Sequence, residues 1–196
     1  MRHALSKELK QHEQRSDHIR KPEPRFQTFR PDVIRRARPE RKTGIVATDL
    51  QVSSLPAEDL VLARWDSPAI EAANRLVAEA DAVIVASPVY KASFSGILKT
   101  YLDLLPQKGL ERKIVMPLFI GGTIAHLLAI EYGLKPILSV LGARRFVSGV
   151  YAVDSQVTRA EGADGAGGFV LESDLKLRLD AAVDELIAEL RAKTSA

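Results

Sequence analysis

Apolar positions along the chain follow two patterns that alternate with each other. Continuous apolar runs, typical of strands buried on both faces of a parallel sheet, occupy residues 45–47, 81–87, 113–120 and 145–152. Apolar residues recur at helical spacing over 69–80, 94–105 and 172–193. The alternation of strand and helix predicts an α/β fold with a doubly wound parallel sheet.

Capping residues and helix breakers indicate where elements begin and end. Ser67 and Pro68 predict the start of helix 69–80, because serine accepts a bond from a free amide and proline is tolerated in the first turn. Thr123 predicts the cap of a later helix, which Pro136 should interrupt because proline lacks the amide donor. We expect loops at 88–93 and, with four glycines, at 157–168.

Residues 1–42 differ in character from the rest of the chain. They carry 13 basic residues against 6 acidic ones, four prolines and little apolar periodicity. Too little apolar area is available there to offset the entropy of ordering the segment. We therefore predict a basic, poorly ordered head at 1–42 and one folded domain at 43–196, whose net charge is about −4.

The composition excludes several classes of function. The chain of 196 residues has no cysteine, which excludes disulfides, thiolate metal sites and cysteine nucleophiles. No apolar run approaches the roughly 18 residues that a membrane span needs, and charged residues follow Met1 where a secretory signal would be apolar. We expect a cytoplasmic protein.

Two short segments follow buried strands and are candidates for ligand binding. In open α/β sheets the ligand lies beyond the carboxyl ends of the strands. Tyr90 and the neighbouring amides can cover a flat heteroaromatic ring, Lys91 can lie near an anionic group, and glycines let the main chain approach a ring closely. The candidates are Ser87, Pro88, Val89, Tyr90 and Lys91 in the first segment, and Gly121, Gly122 and Thr123 in the second.

Each candidate also has a purely structural interpretation. Ser-Pro and Gly-Gly pairs are common in turns, and their occurrence on consecutive strand–helix units favours a site. His126 is more simply a packed or solvated helix residue than a catalyst. Trp65 and Tyr132 are most simply core or interface aromatics.

Three long segments of the chain are rich in uncommon residue combinations: SPVYKASFSGILKTYLDLLPQKGLERKIVMPL, GGTIAHLLAIEYGLKPILSVLGA and GVYAVDSQV. Together they resemble one family, the NADPH-dependent FMN reductases of the alkanesulfonate-utilisation system. The resemblance extends over roughly residues 44–192. It implies a flavodoxin-like fold of three layers (α/β/α), with FMN and NADPH as the bound molecules.

The resemblance also implies roles for particular residues. Pro88, Val89, Tyr90 and Lys91 would lie against the isoalloxazine ring, and Gly121, Gly122 and Thr123 would approach its other edge. Tyr132 falls where the family has a π-bulge in a helix that builds a homo-oligomer. Hydride would pass from NADPH to flavin, so neither catalytic side chains nor metal ligands are expected. Reduced flavin would go to a partner alkanesulfonate monooxygenase.

Residues 1–42 depart from the family's pattern. Members begin with a strand and a Gly-Ser-Pro-Arg type of loop that holds the FMN phosphate, and nothing in 1–42 matches it. That strand is central in the order 2-1-3-4-5, so its absence should expose the neighbouring strands. We hypothesise that residues 2 to about 42 come from a wrong reading frame or gene boundary, which would impair the enzyme. The alternative is a natural divergent head whose arginines contact phosphate in a different way.

Two other functions remain open at the level of sequence. A related flavodoxin-like reductase would keep its flavin tightly bound and reduce quinones or azo compounds. The basic head could instead bind nucleic acid or another anionic surface electrostatically. Interleaved acids and the lack of a stacking pattern of aromatics disfavour nucleic acid.

Overall fold

The computed structural model describes residues 45–160 and 168–194. Within the described residues, two α-helices precede the sheet, α1 (Ala57–Val61) and α2 (Pro68–Glu79). Helix α2 begins as predicted, because the Ser67 hydroxyl accepts a hydrogen bond from the amide of Ile70 at 3.3 Å. The predicted head, 1–42, lies outside the described residues.

The short strand expected at 45–47 is wrong. These residues have no regular secondary structure, and the Val46 side chain is almost fully exposed. Three apolar residues cannot form a strand without a partner, and none of the described strands pairs with them.

The centre of the described sheet is a parallel pair, β1 (Ala82–Tyr90) and β3 (Ile114–Gly121), as predicted from the two apolar runs. Every residue of β3 is buried. Alternate residues of β3 join two apolar clusters: Val115 and Phe119 pack with α2 and the helices that follow β1 and β3, whereas Met116 and Leu118 pack on the C-terminal helix. Helices therefore cover both faces, which confirms the doubly wound α/β fold.

The loop expected at 88–93 is instead a tight hairpin. Strand β1 continues to Tyr90, and the antiparallel β2 (Ser93–Phe94) pairs back onto it. The next helix, α3 (Gly96–Leu102), is shorter than the expected 94–105 because Phe94 belongs to β2 and Ser95 is the N-cap. The residues after α3 form i to i+3 hydrogen bonds up to Leu105. The helix ends there because the residue before Pro106 is disfavoured in the helical conformation.

From residue 129 the helical run after β3 continues without a break through Pro136, so the expected interruption is wrong. It begins with a 3-10 turn capped by Thr123, passes through a π-helix (Ile130–Leu134) and ends in α4 (Lys135–Val140). Pro136 lies in the first turn of α4, where a missing amide donor is tolerated. The π-turn expected around Tyr132 is confirmed.

The strand expected at 145–152 is broken into β4 (Arg145–Phe146) and β5 (Val150–Val153), both parallel to β3. Between the two pieces the broken strand has one residue more than β3, which makes a bulge. Pro117 of β3 lies opposite this bulge, and as a proline it has no amide hydrogen to donate to the bulged strand. The Ser148 amide donates instead to a Glu185 carboxylate oxygen at 2.9 Å.

Glu185 makes the bulge sensitive to acid. Hydrogen bonds from the Ser148 side chain and amide lower the pKa of Glu185 below its usual value. A lowered folded-state pKa contributes stability above the unfolded pKa, and that contribution disappears as pH falls through the folded value. We expect Glu185→Gln to be less stable than wild type at neutral pH, with the difference in melting temperature shrinking below about pH 4.5. A constant difference down to pH 3 would contradict this.

Of the flexible loop expected at 157–168, residues 157–160 and 168 belong to strands instead, and residues 161–167 lie outside the described residues. β6 (Val157–Ala160) and β7 (Gly168–Leu171) form a separate antiparallel pair, favoured by the β-branched and aromatic residues at both ends. Helix α5 (Ser173–Thr194) then closes the described chain, as predicted. None of the described helices is long and apolar enough to cross a membrane.

The edge of β1 that faces away from β3 has no partner strand over 82–88 among the described residues. Both faces of β1 are apolar, which is typical of an interior strand, yet it is less buried than β3.

Candidate functional site

The carboxyl ends of three parallel strands meet at one edge of the sheet. Pro88 of β1 is in register with Ile120 of β3, and Gly121 of β3 is in register with Val153 of β5. The segments that follow these three strands are therefore neighbours. The two segments selected from the sequence lie side by side at the edge where ligands bind in this class of fold.

The hairpin turns through Lys91 and Ala92, which have φ values of 49° and 62°. Two-residue hairpins of type I′ require positive φ at both central positions, where glycine and asparagine are favoured. A residue with a Cβ in this left-handed region of φ raises the conformational energy of the backbone by roughly 1 kcal/mol. The hairpin therefore stores backbone strain beside the candidate site.

We expect Ala92→Gly to raise the free energy of unfolding by about 1 kcal/mol, because glycine adopts positive φ without a steric penalty. Ala72→Gly is the matched control: it makes the same change at an exposed position inside α2 and should lower stability by a similar amount. Urea denaturation measures both. A destabilised Ala92→Gly variant would contradict the assigned turn.

Ser87 fixes the hairpin from inside. Its hydroxyl accepts a hydrogen bond from the Ser95 amide at 2.9 Å and lies 3.3 Å from the Ser95 hydroxyl. The residue is only 1% exposed. Its side chain therefore holds the hairpin in shape, and the buried residue does not itself face a ligand.

Gly121 occupies the tightest position at the site. A Cβ placed on it would lie 2.3 Å from the Tyr151 hydroxyl and 3.2 Å from the Val89 Cβ. The Tyr151 hydroxyl donates a hydrogen bond to the Thr123 carbonyl oxygen at 2.9 Å. Tyr151 therefore orders the Gly121–Thr123 segment, and only glycine fits between it and the hairpin.

Gly122 and Thr123 are exposed, and Asp154 lies beside them. The nearest atom to a Cβ placed on Gly122 would be a carboxylate oxygen of Asp154, at 3.8 Å. Burial, and then the Asp154 charge, raise the pKa of Tyr90 and of Tyr151. Both phenols therefore stay protonated, as donors, well above neutral pH.

Tyr151 and Asp154 are parts of the site that the sequence analysis did not select. Their signal was present, since both lie in the segment GVYAVDSQV that follows the bulge. The bulge sets which of these residues points towards Gly121, and it depends on Pro117 in another strand.

The π-helix borders the hairpin. A Cβ placed on Gly133 would lie 3.6 Å from the Ser93 hydroxyl. Tyr132, the residue before Gly133, is 79% exposed, and Trp65 is 70% exposed, so neither belongs to the described core. The possibility that they are core aromatics is therefore wrong.

The eight predicted site residues differ in how exposed they are and in what their side chains contact. Val89 contacts the Gly121 position, and Tyr90, Gly122 and Thr123 are exposed around it; Pro88 is half-buried between strands. Lys91 points out at the tip of the hairpin, whereas the Ser87 side chain points in. The exposed main chain of Gly122 and the exposed phenol of Tyr90 offer a surface against which a planar ring can lie.

A sequence model described as NADPH-dependent FMN reductase matches residues 24–158. The chain belongs to this FMN reductase family. The match begins inside the 1–42 segment and extends through both segments of the candidate site to the end of GVYAVDSQV. Family membership and the position of the site therefore agree.

Named relatives of the FMN reductase family match 61–68% of the chain. "FMN reductase (NADPH)" of Pseudomonas putida is 56% identical over 119 residues, which are 61% of this chain and 60% of that protein. The protein of the same name from Escherichia coli is 48% identical over 139 residues, covering 68% and 71%. The chain thus spans less than two thirds of the Pseudomonas putida relative.

Solved structures agree on the fold. The apo form of the NADH:FMN oxidoreductase EMOB is 35% identical, with a TM-score of 0.62 over 71% of this chain and 70% of that one. An oxidoreductase from Corynebacterium diphtheriae is 27% identical, with a TM-score of 0.58 over 71% and 72%.

Proposed function

We propose that this protein is an NADPH-dependent FMN reductase whose ring-binding site is formed by the hairpin and the Gly121–Thr123 segment. The observation that carries the proposal is the convergence of these two segments on Gly121, within the residues that match the family. When bound, flavin accepts the hydride from NADPH. The chain's own residues hold and orient the ring.

Each part of the site has a distinct task in this proposal. Val89 and Pro88 present an apolar face to the ring, and Tyr90 covers it with a phenol that stays a hydrogen-bond donor at neutral pH. Gly122 lets the main chain approach the ring's edge, and Tyr151 keeps that segment in place through Thr123. Lys91 adds a positive charge at the tip.

NADPH oxidation at 340 nm, measured with and without added FMN, tests the proposed activity. We expect turnover that depends on FMN and is faster with NADPH than with NADH. The relatives' names include both nucleotides, so the two are compared directly. A yellow protein that oxidises NADPH only when a quinone or azo dye is added would support the alternative reductase instead.

We propose further that reduced FMN is passed to a flavin-dependent alkanesulfonate monooxygenase. This proposal rests on the family resemblance of the site segments. It predicts that sulfite release from an alkanesulfonate by such a monooxygenase requires this chain, NADPH and FMN together. Sulfite release that is equally fast without this chain would contradict it.

We propose that the helical run containing Tyr132 builds a homo-oligomer. Large apolar side chains are exposed along it, at Ile124, Leu127, Leu128 and Tyr132. We expect Tyr132→Asp to reduce the mass seen by light scattering to that of one chain. Leu177→Asp, at an equally exposed leucine on α5, is the control and should leave the mass unchanged. A monomeric wild-type protein would contradict the proposal.

A further inference from the structure

A second concave site lies at the end of the sheet opposite the hairpin. It is a cavity of about 610 Å³ at the amino ends of β3 and β4. The eight residues of β3 separate it from Gly122 by about 26 Å. Five cationic residues and one carboxylate line it: Lys108, Arg112, Lys113, Arg144, Arg145 and Glu111.

Two turns joined by a backbone hydrogen bond form the wall of this cavity. The Leu110 amide donates to the Leu141 carbonyl oxygen at 2.9 Å, which joins the turn before β3 to the end of α4. Gly142 (φ 95°) packs against the backbone of Glu111, and Arg112 also has positive φ, at 62°. The cations are therefore presented by a fixed backbone and not by a loose loop.

The cationic side chains are only partly neutralised. Arg145 pairs with Glu189 at 2.6 Å, and Lys113 donates to the Ala78 and Ala80 carbonyl oxygens. Arg144 uses one guanidinium nitrogen on backbone carbonyl oxygens. Among the described residues, neither Lys108 nor Arg112 has an ionic partner.

This concentration of positive charge contrasts with the rest of the domain. Residues 43–196 carry about four more acidic than basic residues, yet the cavity brings together five cations and one acid. Guanidinium groups bind phosphate oxygens through paired donors, and a lysine adds a mobile point charge. Val140 lines the same cavity and offers an apolar contact.

We propose that this cavity binds a phosphate-bearing polyanion, with Lys108 and Arg112 as its main ligands and Arg144 as a third donor. The site is separate from the ring-binding site and does not depend on the proposed reductase activity. Its ligand is either a free polyanion or the diphosphate of a nucleotide, since both present the same chemistry.

Isothermal titration calorimetry with inorganic pyrophosphate at low ionic strength tests the proposal. We expect saturable binding of one pyrophosphate per chain, weakened roughly tenfold or more in Lys108→Glu/Arg112→Glu. Lys99→Glu/Lys176→Glu makes the same change of charge at two exposed helix lysines and should change the affinity less than about twofold. Equal weakening in both double variants, or no saturable binding to wild type, would overturn the proposal.

Amide resonances identify the place of binding and the source of the phosphate. Pyrophosphate should shift the resonances of Glu111, Arg112 and Gly142 and leave those of Tyr90 and Gly122 unchanged. If NADP⁺ produces the same shifts and competes with pyrophosphate, the ligand is a nucleotide diphosphate; if it does not, the ligand is a free polyanion. Pyrophosphate shifts confined to Tyr90 and Gly122 would overturn the assignment of the site.

Discussion

We expect Gly121→Ala to lower FMN-dependent NADPH oxidation by on the order of 100-fold. The new Cβ would lie 2.3 Å from the Tyr151 hydroxyl, so either the Gly121–Thr123 segment or the tyrosine must move. Moving the tyrosine breaks its hydrogen bond to Thr123, and moving the segment displaces the main chain that approaches the ring. Overpacking of this kind also costs about 1–3 kcal/mol of stability.

A second variant distinguishes this steric cause from general damage. Gly121→Ala/Tyr151→Phe removes the hydroxyl that clashes, so we expect part of the lost kcat/KM to return. Gly96→Ala is the matched control and should leave the activity unchanged. A Cβ on Gly96, the first residue of α3, meets nothing within 4 Å. Gly121→Ala activity within about twofold of wild type would contradict the tight contact.

We expect Ser87→Ala to lower the free energy of unfolding by about 1–3 kcal/mol, because the buried Ser95 amide loses its acceptor. The hairpin also loses the bond that fixes its shape next to the ring. We therefore expect the KM for FMN to rise about tenfold.

Ser53→Ala is the control for this prediction. The Ser53 hydroxyl also accepts a hydrogen bond, from Gln51 at 3.0 Å, but at an exposed position, so its loss should change stability by less than about 0.5 kcal/mol. Chemical denaturation and steady-state kinetics measure both variants. A Ser87→Ala variant that unfolds like Ser53→Ala would show that the hairpin is held by other contacts.

The central strands could be predicted because their signal is local. Residues 81–87 and 113–120 are continuous apolar runs, and Ser67 and Thr123 are capping residues whose hydrogen bonds are made as expected. The hairpin was not predicted, because Lys91 and Ala92 are not the residues that such turns favour. The strain that they accept is visible only in the backbone angles.

The break between β4 and β5 was not predicted, although the apolar run 145–152 contains the turn-forming pair Ser148-Gly149. The break follows from Pro117, which lies on the neighbouring strand and cannot donate a ladder bond. The pair Ser148-Gly149 marks the position of the break, whereas its cause lies on the partner strand.

Only the part of the candidate site that has a local sequence signal could be predicted. The glycines and the Tyr90 segment stand at the ends of recognisable strands, so their positions could be anticipated. The contact between Gly121 and Tyr151 joins two strands 30 residues apart and needs the bulge to bring them into register. The π-turn at Tyr132 was expected from the family resemblance and not from its periodicity.

Amide resonance mapping with FMN tests most directly that the hairpin and the Gly121–Thr123 segment form the flavin site. We expect FMN to shift the resonances of Val89, Tyr90, Lys91, Gly121 and Gly122 in the wild-type protein, and to shift them far less in Gly121→Ala. Lys176 on α5 serves as the reference position and should not change. FMN shifts that avoid the hairpin, or that are the same in both proteins, would contradict the assignment of the site.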